Sequence, residues 1–357
     1  MTADASIKIG AIIPLSGPAG LFGPSCCNCF SLAAADVNDA GGILGRKVNL
    51  VFIDGGQKPG DVAQNIRTLL DLTALSGLIG MHDSDVRAAV CEAAHGRVPY
   101  VYTPTYEGGE HRGGVFYLGE TPQQQLAPVF PWLMDRCKLK RWWLIGNDYS
   151  WPRKLHALAR HYICQQGGSV IGEHYVPLGT EDFTDYVESL QGGNADAVMV
   201  ALVGSDSANF NRAFAEAGLL DRIRRFSPLL EENTLLAIGA DATQGLYTAS
   251  SYFTSIPEAT NQAFLAKYAA AYGEDAPVVT TLAQSCYEGL LFLKYLARRA
   301  QSLDPSVLTA ASEGFSYESP RGTMRMVNGH LVKSIYLAAA DDLDFRIITV
   351  FKDVLPQ

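Results

Sequence analysis

The sequence predicts an α/β protein made of two doubly wound parallel-sheet lobes joined by a multi-strand hinge. Three observations predict it. Strand-like and helix-like segments alternate from the N-terminus, the signature of successive βα units and of a parallel sheet covered on both faces. The alternation restarts after "YLGETPQQQ" at 117–125. The chain beyond residue 251 is a mixture of helix and antiparallel strand patterns, too irregular for a third βα lobe but able to cap two. With 357 residues, the chain is long enough for two separate cores.

The elements follow in order. "IKIGAIIPL" (7–15) is a strand. "PSCCNCFSLAAADVNDAGG" is a helix stopped at Gly41-Gly42. "KVNLVFID" (47–54) is a strand, and "GDVAQNIRTLLDL" a helix with Val62, Ile66, Leu69 and Leu70 on one face. "SGLIGM", "SDVRAAVCEAAHG" and "VPYVYTP" read as strand, helix and strand. In the second lobe a helix near 124–137 carries Leu126, Phe130 and Leu133. "KRWWLIGND" is a strand, and "SWPRKLHALARHYICQQGG" a helix with Pro152 in its first turn. "SVIGEHYV", "ADAVMVALVG" and "RRFSPLL" are further strands, with helices at "FTDYVESLQGG" and "SDSANFNRAFAEAGL". In the tail, "TTLAQSCYEGLLFLKYLARRA" is a long apolar helix, and the residues from Gly322 to Phe351 are antiparallel strands. Crossings near 121, 251 and 328 then divide the chain into lobe I (1–121 and 252–328) and lobe II (122–251 and 329–357), with a ligand cleft between them.

A net charge of −9 and a pI of about 5.3 argue against nucleic-acid binding. Arg222-Ile223-Arg224-Arg225 reads as a solvated loop. The longest apolar run, "DAVMVALVG", is far short of the roughly 18 residues of a membrane helix, so no membrane insertion is expected. Cys26-Cys27-Asn28-Cys29 lacks a second ligand pair and reads as buried helix positions, so no metal or cofactor is expected. Seven cysteines and an opening "MTADASIKIG" without basic or apolar leader regions predict a cytoplasmic address; a periplasmic chain whose signal has been replaced by Met1 is the alternative.

Ligands of open α/β sheets bind beyond the carboxyl ends of the strands. Those ends carry His82 and Ser84 in "GMHDSDVR", and Tyr102, Thr103, Thr105 and Tyr106 in "YTPTYEGGE". They also carry Tyr149 and Trp151 in "GNDYSW", Val203 and Gly204 in "ALVGSDS", and Glu231 and Glu232 in "PLLEEN". Hydroxyls and a helix N-terminus would hold an oxygen, aromatics an apolar body, and a glutamate an NH group. Ser84 also reads as a plain N-cap, Glu231 and Glu232 as first-turn acids, and Tyr106 as packing under the hinge. No GxSxG elbow, HExxH or nucleophile–base pair is present, so no catalysis is expected.

"IKIGAIIPLSGPAGLFG" and "AAADVNDAGGILGRKVNLVFIDGG", with these strand ends, resemble the type I periplasmic-binding-protein fold, within its leucine/isoleucine/valine-binding group. "YTPTYEGGE", "IGNDYSWPR", "VALVGSDSA" and "SSYFTSI" are similar to the branch of the aliphatic amidase regulator, an amide sensor, and of urea- and short-amide-binding proteins. The resemblance implies that Ser84 and Thr103 or Thr105 hold the ligand's oxygen and that Tyr149 closes from lobe II. Glu231, or Glu232 one residue on, would take an ammonium group. It implies a cytoplasmic sensor of a small polar solute (short amide, urea-like or amino-acid-like), working with a regulatory protein partner. The alternative is the periplasmic substrate-binding protein of an ABC importer, with a permease as partner. A homodimer is compatible with either. Pro104 would stiffen the wall from Tyr102 to Tyr106, so that it is set before the ligand arrives.

Overall fold

The computed structural model describes residues 6–72 and 75–356; residues 1–5, read above for a leader, lie outside them, as do 73–74 and 357. The first half of the chain gives β1 (Ile7–Ile13), α1 (Gly23–Asp39), β2 (Val48–Asp54), α2 (Pro59–Leu72), β3 (Leu75–Gly80), α3 (Ser84–Ala94), β4 (Tyr100–Tyr102) and β5 (Val115–Tyr117). The second gives α4 (Pro122–Leu126), α5 (Val129–Arg136), β6 (Arg141–Asn147), α6 (Ser150–Gln165), β7 (Ser169–Val176), α7 (Thr184–Gln191), β8 (Ala197–Ala201), α8 (Ser205–Glu216), β9 (Arg224–Ser227), α9 (Glu232–Ile238) and β10 (Leu246–Ser250). The tail adds α10 (Ala259–Tyr272), α11 (Thr281–Ala300), α12 (Pro305–Ser312), β11 (Ser316–Ser319), β12 (Gly322–Val327), β13 (His330–Asp341) and β14 (Asp344–Val354).

The strands form two parallel five-stranded arrays, β2-β1-β3-β4-β5 and β10-β9-β8-β6-β7, joined through β13. β13 meets β5 at His330–Tyr117 and runs antiparallel to β10 over Tyr336–Ala339. The two-lobed α/β architecture expected from the alternation is therefore present. Strands β5 and β10 were not visible in the sequence. β5 has three residues, too few for a readable period, and β10 ("LYTAS") lacks the apolar run of its neighbours.

Burial explains the helix patterns. β8 is buried at all five residues, as expected for a strand covered on both faces. α11 is buried from Thr281 to Leu293, with Gln284, Ser285 and Glu288 among its buried side chains; it packs on α1. That packing returns the chain to the first lobe after β10, and β13–β14 then carries it back onto the second.

The crossovers are held by polar groups. Thr121 caps α4 in a reciprocal capping box with Gln124. The Gln124 side chain donates to Leu331 O and Val354 O, both at 3.0 Å, and Gln125 donates to Pro228 O (2.8 Å) and Ala249 O (2.9 Å). Beside them lie four buried charges. Arg321 donates to Glu288 through Nε and Nη2 at 2.7–2.9 Å. Arg321 Nη1 and Lys333 Nζ lie 3.7 and 3.5 Å from Glu120 Oε1. Ser251, on the second crossover, donates to Glu120 from both its backbone N–H and its hydroxyl. Burial pushes Glu120 up, but Lys333 and Arg321 more than reverse this and hold it at about 2.

Removing one member leaves an uncompensated buried charge, a loss of roughly 3–5 kcal/mol, whereas removing an opposite pair does not. We expect Arg321→Met to lose about that much in urea unfolding, and the double variant Glu288→Leu/Arg321→Met to recover most of it. Glu120's contribution is present at neutral pH and is lost as pH falls from its unfolded value towards about 2. Acid unfolding of Glu120→Gln should accordingly show a shallower pH dependence than the parent.

Candidate functional site

Strand ends from both arrays meet at one cavity of about 50 Å³. Since one water needs roughly 10–15 Å³ on this measure, the space suits a compact organic molecule. From the first array come Pro14, Ala19 and Phe22 after β1, Met81, His82, Asp83 and Ser84 after β3, and Tyr102, Pro104 and Thr105 after β4. From the second come Tyr149 and Trp151 after β6, Val203 after β8 and Leu229 after β9; Leu282 enters from the first turn of α11. The placement is the one parallel sheets dictate.

The polar groups are fixed by their neighbours. Asp83 caps α3 through Val86 N–H at 2.8 Å. His82 Nδ1 lies 3.0 Å from the Asp83 carbonyl, which can only accept, so Nδ1 carries the proton and Nε2 accepts from Tyr100 Oη at 2.9 Å. Burial, aided by Arg87, lowers the His82 pKa to about 4, so the ring is neutral near pH 7. Tyr102 donates to His82 O at 2.6 Å. Thr105 directs its hydroxyl at Glu120 O (3.0 Å) and Gln125 Oε1 (3.2 Å), so its proton is not free for the cavity. Ser84 Oγ accepts from Arg87 Nη1 at 3.4 Å, which leaves its proton to be donated towards Glu107 or into the cavity.

In the second lobe Tyr149 stacks on Trp151 with centroids 6.5 Å apart. Trp151 is buried, and its indole Nε1–H has no partner among the described residues. A buried donor without an acceptor costs about 1–3 kcal/mol, so this group favours an oxygen placed against it.

Of the twelve residues singled out in the sequence, His82, Ser84, Tyr102, Thr105, Tyr149, Trp151 and Val203 lie on the cavity wall. Thr103 instead turns towards α11, donating to Gly80 O (3.3 Å) and accepting from Ser285 Oγ (3.1 Å). Tyr106 stacks on Tyr117 and His330 and hydrogen-bonds His330 Nδ1. Gly204 holds φ +54° where the lobes touch: a Cβ there would sit 2.1 Å from Pro18 O. Glu231 reaches across to the other lobe and accepts from Leu282 N–H at 3.3 Å, at the N-terminus of α11. Burial and the neighbouring Glu232 push it up to about 8. Glu232 is raised to about 7, chiefly by burial, and accepts from Thr254 N–H at 3.2 Å.

Sequence reasoning also passed over Phe22, Met81, Leu229 and Leu282. They are apolar, and apolar residues at strand and helix ends read as core.

The wall is thus apolar and aromatic with hydrogen-bond donors set into it. Among the described residues that line it, the one carboxylate, Asp83, is occupied by its own helix.

A family model described as "Periplasmic binding protein" matches residues 6–344, and the chain belongs to that family. It is similar to the Leu/Ile/Val-binding protein homolog 3 of Brucella melitensis, with 25% identity and coverage of 90% of this chain and 87% of the relative. Among solved structures it is similar to an ABC-transporter solute-binding protein of R. palustris in complex with 4-hydroxybenzoate: TM-score 0.87, 23% identity, 98% of each chain. It is also similar to the branched-chain amino acid transporter substrate-binding protein LivJ of Streptococcus pneumoniae in complex with isoleucine: TM-score 0.86, 18% identity, 99% and 100% covered. The type I fold and small-molecule binding follow.

The cytoplasmic address expected above is corrected by this membership: the family and its relatives point to the periplasm. The cysteine count misled for a physical reason. Cys26, Cys29, Cys91 and Cys286 are buried. Burial raises Cys91 to about 11 and Cys29 and Cys286 well above the usual thiol range. Such thiols resist oxidation by position and carry no record of compartment.

Glu231 titrates in a window set by its raised pKa. The folded state holds the proton between the unfolded value near 4.5 and about 8, so stability falls as pH rises through that interval. We expect Glu231→Gln to match the parent in thermal unfolding at pH 5 and to exceed it at pH 8.5 by more than ~2 °C.

Proposed function

We propose that this chain is the substrate-binding component of an ABC importer and that its solute is a small organic acid with an apolar or aromatic body. Of the described residues, those within 1–121 and 252–328 move as one lobe, and those within 122–251 and 329–357 as the other. The acid group lies against the Trp151 indole N–H and the Ser84 hydroxyl at the start of α3. The apolar body fills the space between Phe22, Met81, Tyr149, Val203 and Leu282.

The observation that carries this reading is the unpartnered indole N–H of the wall residue Trp151, on a wall whose one carboxylate among the described lining residues, Asp83, is engaged by its own helix. Glu231, where an ammonium group would be received, caps α11 instead and holds a proton near neutral pH. The names of neighbouring structures support the same class, including complexes with 4-hydroxybenzoate and benzoate. These relatives are named for binding and transport, and the amide-sensor branch draws no support from them.

A thermal-shift panel of benzoate, 4-hydroxybenzoate, isoleucine and urea tests the proposal. An acid at 100 times its dissociation constant should stabilise the protein by about 2.7 kcal/mol. Trp151→Phe keeps an aromatic ring, though a smaller one, and removes the donor, and should weaken acid binding by roughly 5- to 30-fold. Tyr149→Ala and Ser84→Ala should each weaken it without unfolding the protein. Equal or tighter binding of isoleucine or urea would exclude the acid reading.

A further inference from the structure

Glu107-Gly108-Gly109-Glu110 ends the "YTPTYEGGE" segment, and no part of the cavity wall comes from it. Gly108 and Gly109 adopt φ +77° and +71°, a left-handed pair that folds the chain back on itself. The two glutamates then close on one guanidinium. Arg87 Nη2 donates to Glu107 Oε2 at 2.7 Å and to Glu110 Oε1 at 2.5 Å. Arg87 is buried against the rings of Tyr102 and Tyr106, and it is the residue that donates to Ser84 Oγ.

The other carboxylate oxygen of Glu107 faces the opposite lobe. Ser150, the first residue of α6, donates to Glu107 Oε1 at 2.8 Å and lies 3.3 Å from Asp85 Oδ1 on α3. One carboxylate therefore joins Arg87 on the first lobe to a hydroxyl on the second. Ser84, the next group along from Arg87, stands on the cavity wall. Tyr117 anchors the far end by donating to Glu110 Oε2 at 3.0 Å.

We propose that Glu107 and Arg87 are positioning residues that tie lobe closure to the setting of Ser84. This rests on the reading of the interlobe cavity as the solute site. With the lobes together, the Ser150 hydroxyl completes the shell of Glu107, Glu107 fixes Arg87, and Arg87 fixes Ser84 Oγ. With the lobes apart, Glu107 loses its partner from α6, and Ser84 is held less firmly. Ser150 acts through these groups and does not touch the cavity, so it is a latch whose loss speeds solute release and leaves capture unaffected.

The test uses Ser150, which is half-buried on a helix end and can be changed without emptying the buried ion pairs. Ser150→Ala removes the hydroxyl; Ser150→Asp sets a carboxylate against Glu107 and Asp85; Ser150→Thr keeps the hydroxyl. Stopped-flow binding of benzoate and small-angle scattering are measured on all three and on the parent. The expected result is about tenfold faster dissociation in Ser150→Ala and more in Ser150→Asp, association within about twofold of the parent, and rescue by Ser150→Thr. Ser150→Asp should also show a larger radius of gyration with and without benzoate. Unchanged dissociation and an unchanged radius in Ser150→Ala and Ser150→Asp would overturn the latch. Opening of Ser150→Asp in scattering, with no acid binding to the parent, would support the latch and count against the organic-acid reading of the cavity.

Discussion

Two lobes can share a cleft only if the strands that cross between them are held in place while the lobes stay separate, and here that hold is electrostatic. Glu120, Glu288, Arg321 and Lys333 are brought together from the first crossover, α11, the turn entering β12, and β13. Two acids and two bases leave no net charge, so the desolvation of each is offset by the others. Ser251 and Tyr317 complete the shell of the carboxylates. Directed ion pairs fix where the crossovers pass one another, and the cleft inherits its alignment from that point.

The network also connects to the cavity. Glu120 lies just beyond β5, its backbone carbonyl receives the Thr105 hydroxyl, and its side chain anchors the crossover that begins at Ser251. Thr105 is on the wall. The wall segment that holds Pro104 is thus stapled to the crossover through Thr105. A mobile wall would have to be ordered each time a solute arrived, at an entropic cost to affinity.

Much of this was legible in the sequence, and the part that was not has a common cause. Strand–helix alternation is local, so the two arrays could be read from runs such as "IKIGAII" and "DAVMVALV". Because ligand sites of parallel sheets lie at strand ends, Ser84, Tyr149 and Trp151 could be picked from their positions alone. What position does not give is the direction in which a side chain turns. Thr103 and Thr105 are close together on one segment, yet one hydroxyl turns to α11 and the other to Glu120 and Gln125 at the crossover. Glu231 stands where an acid for an ammonium group was expected, but its carboxylate is drawn to the N-terminus of α11. The partners that decide these directions are distant in sequence: Ser285 for Thr103, Leu282 for Glu231, Ser150 for Glu107. The four hinge charges were missed for the same reason, since nothing local marks Lys333 or Arg321 as buried.

The withdrawal of the acids and the unpaired indole donor act in one direction. On the proposed function, a guest that offers an acceptor to Trp151 Nε1–H would remove the penalty of an unsatisfied buried donor. An apolar guest fills the space and leaves that penalty in place. An ammonium-bearing guest meets a wall without a free carboxylate and would also be buried with its charge unpaired. A guest with an apolar body and an anionic or carbonyl oxygen would remove that penalty and could take the Ser84 proton. Only a molecule that interacts differently with the open and closed forms can shift the balance between them. On the proposed function, selectivity would be a property of closure: the cavity would discriminate by which guests lower the closed form below the open one, and the ion pairs behind Ser84 would set how sharply that difference is felt.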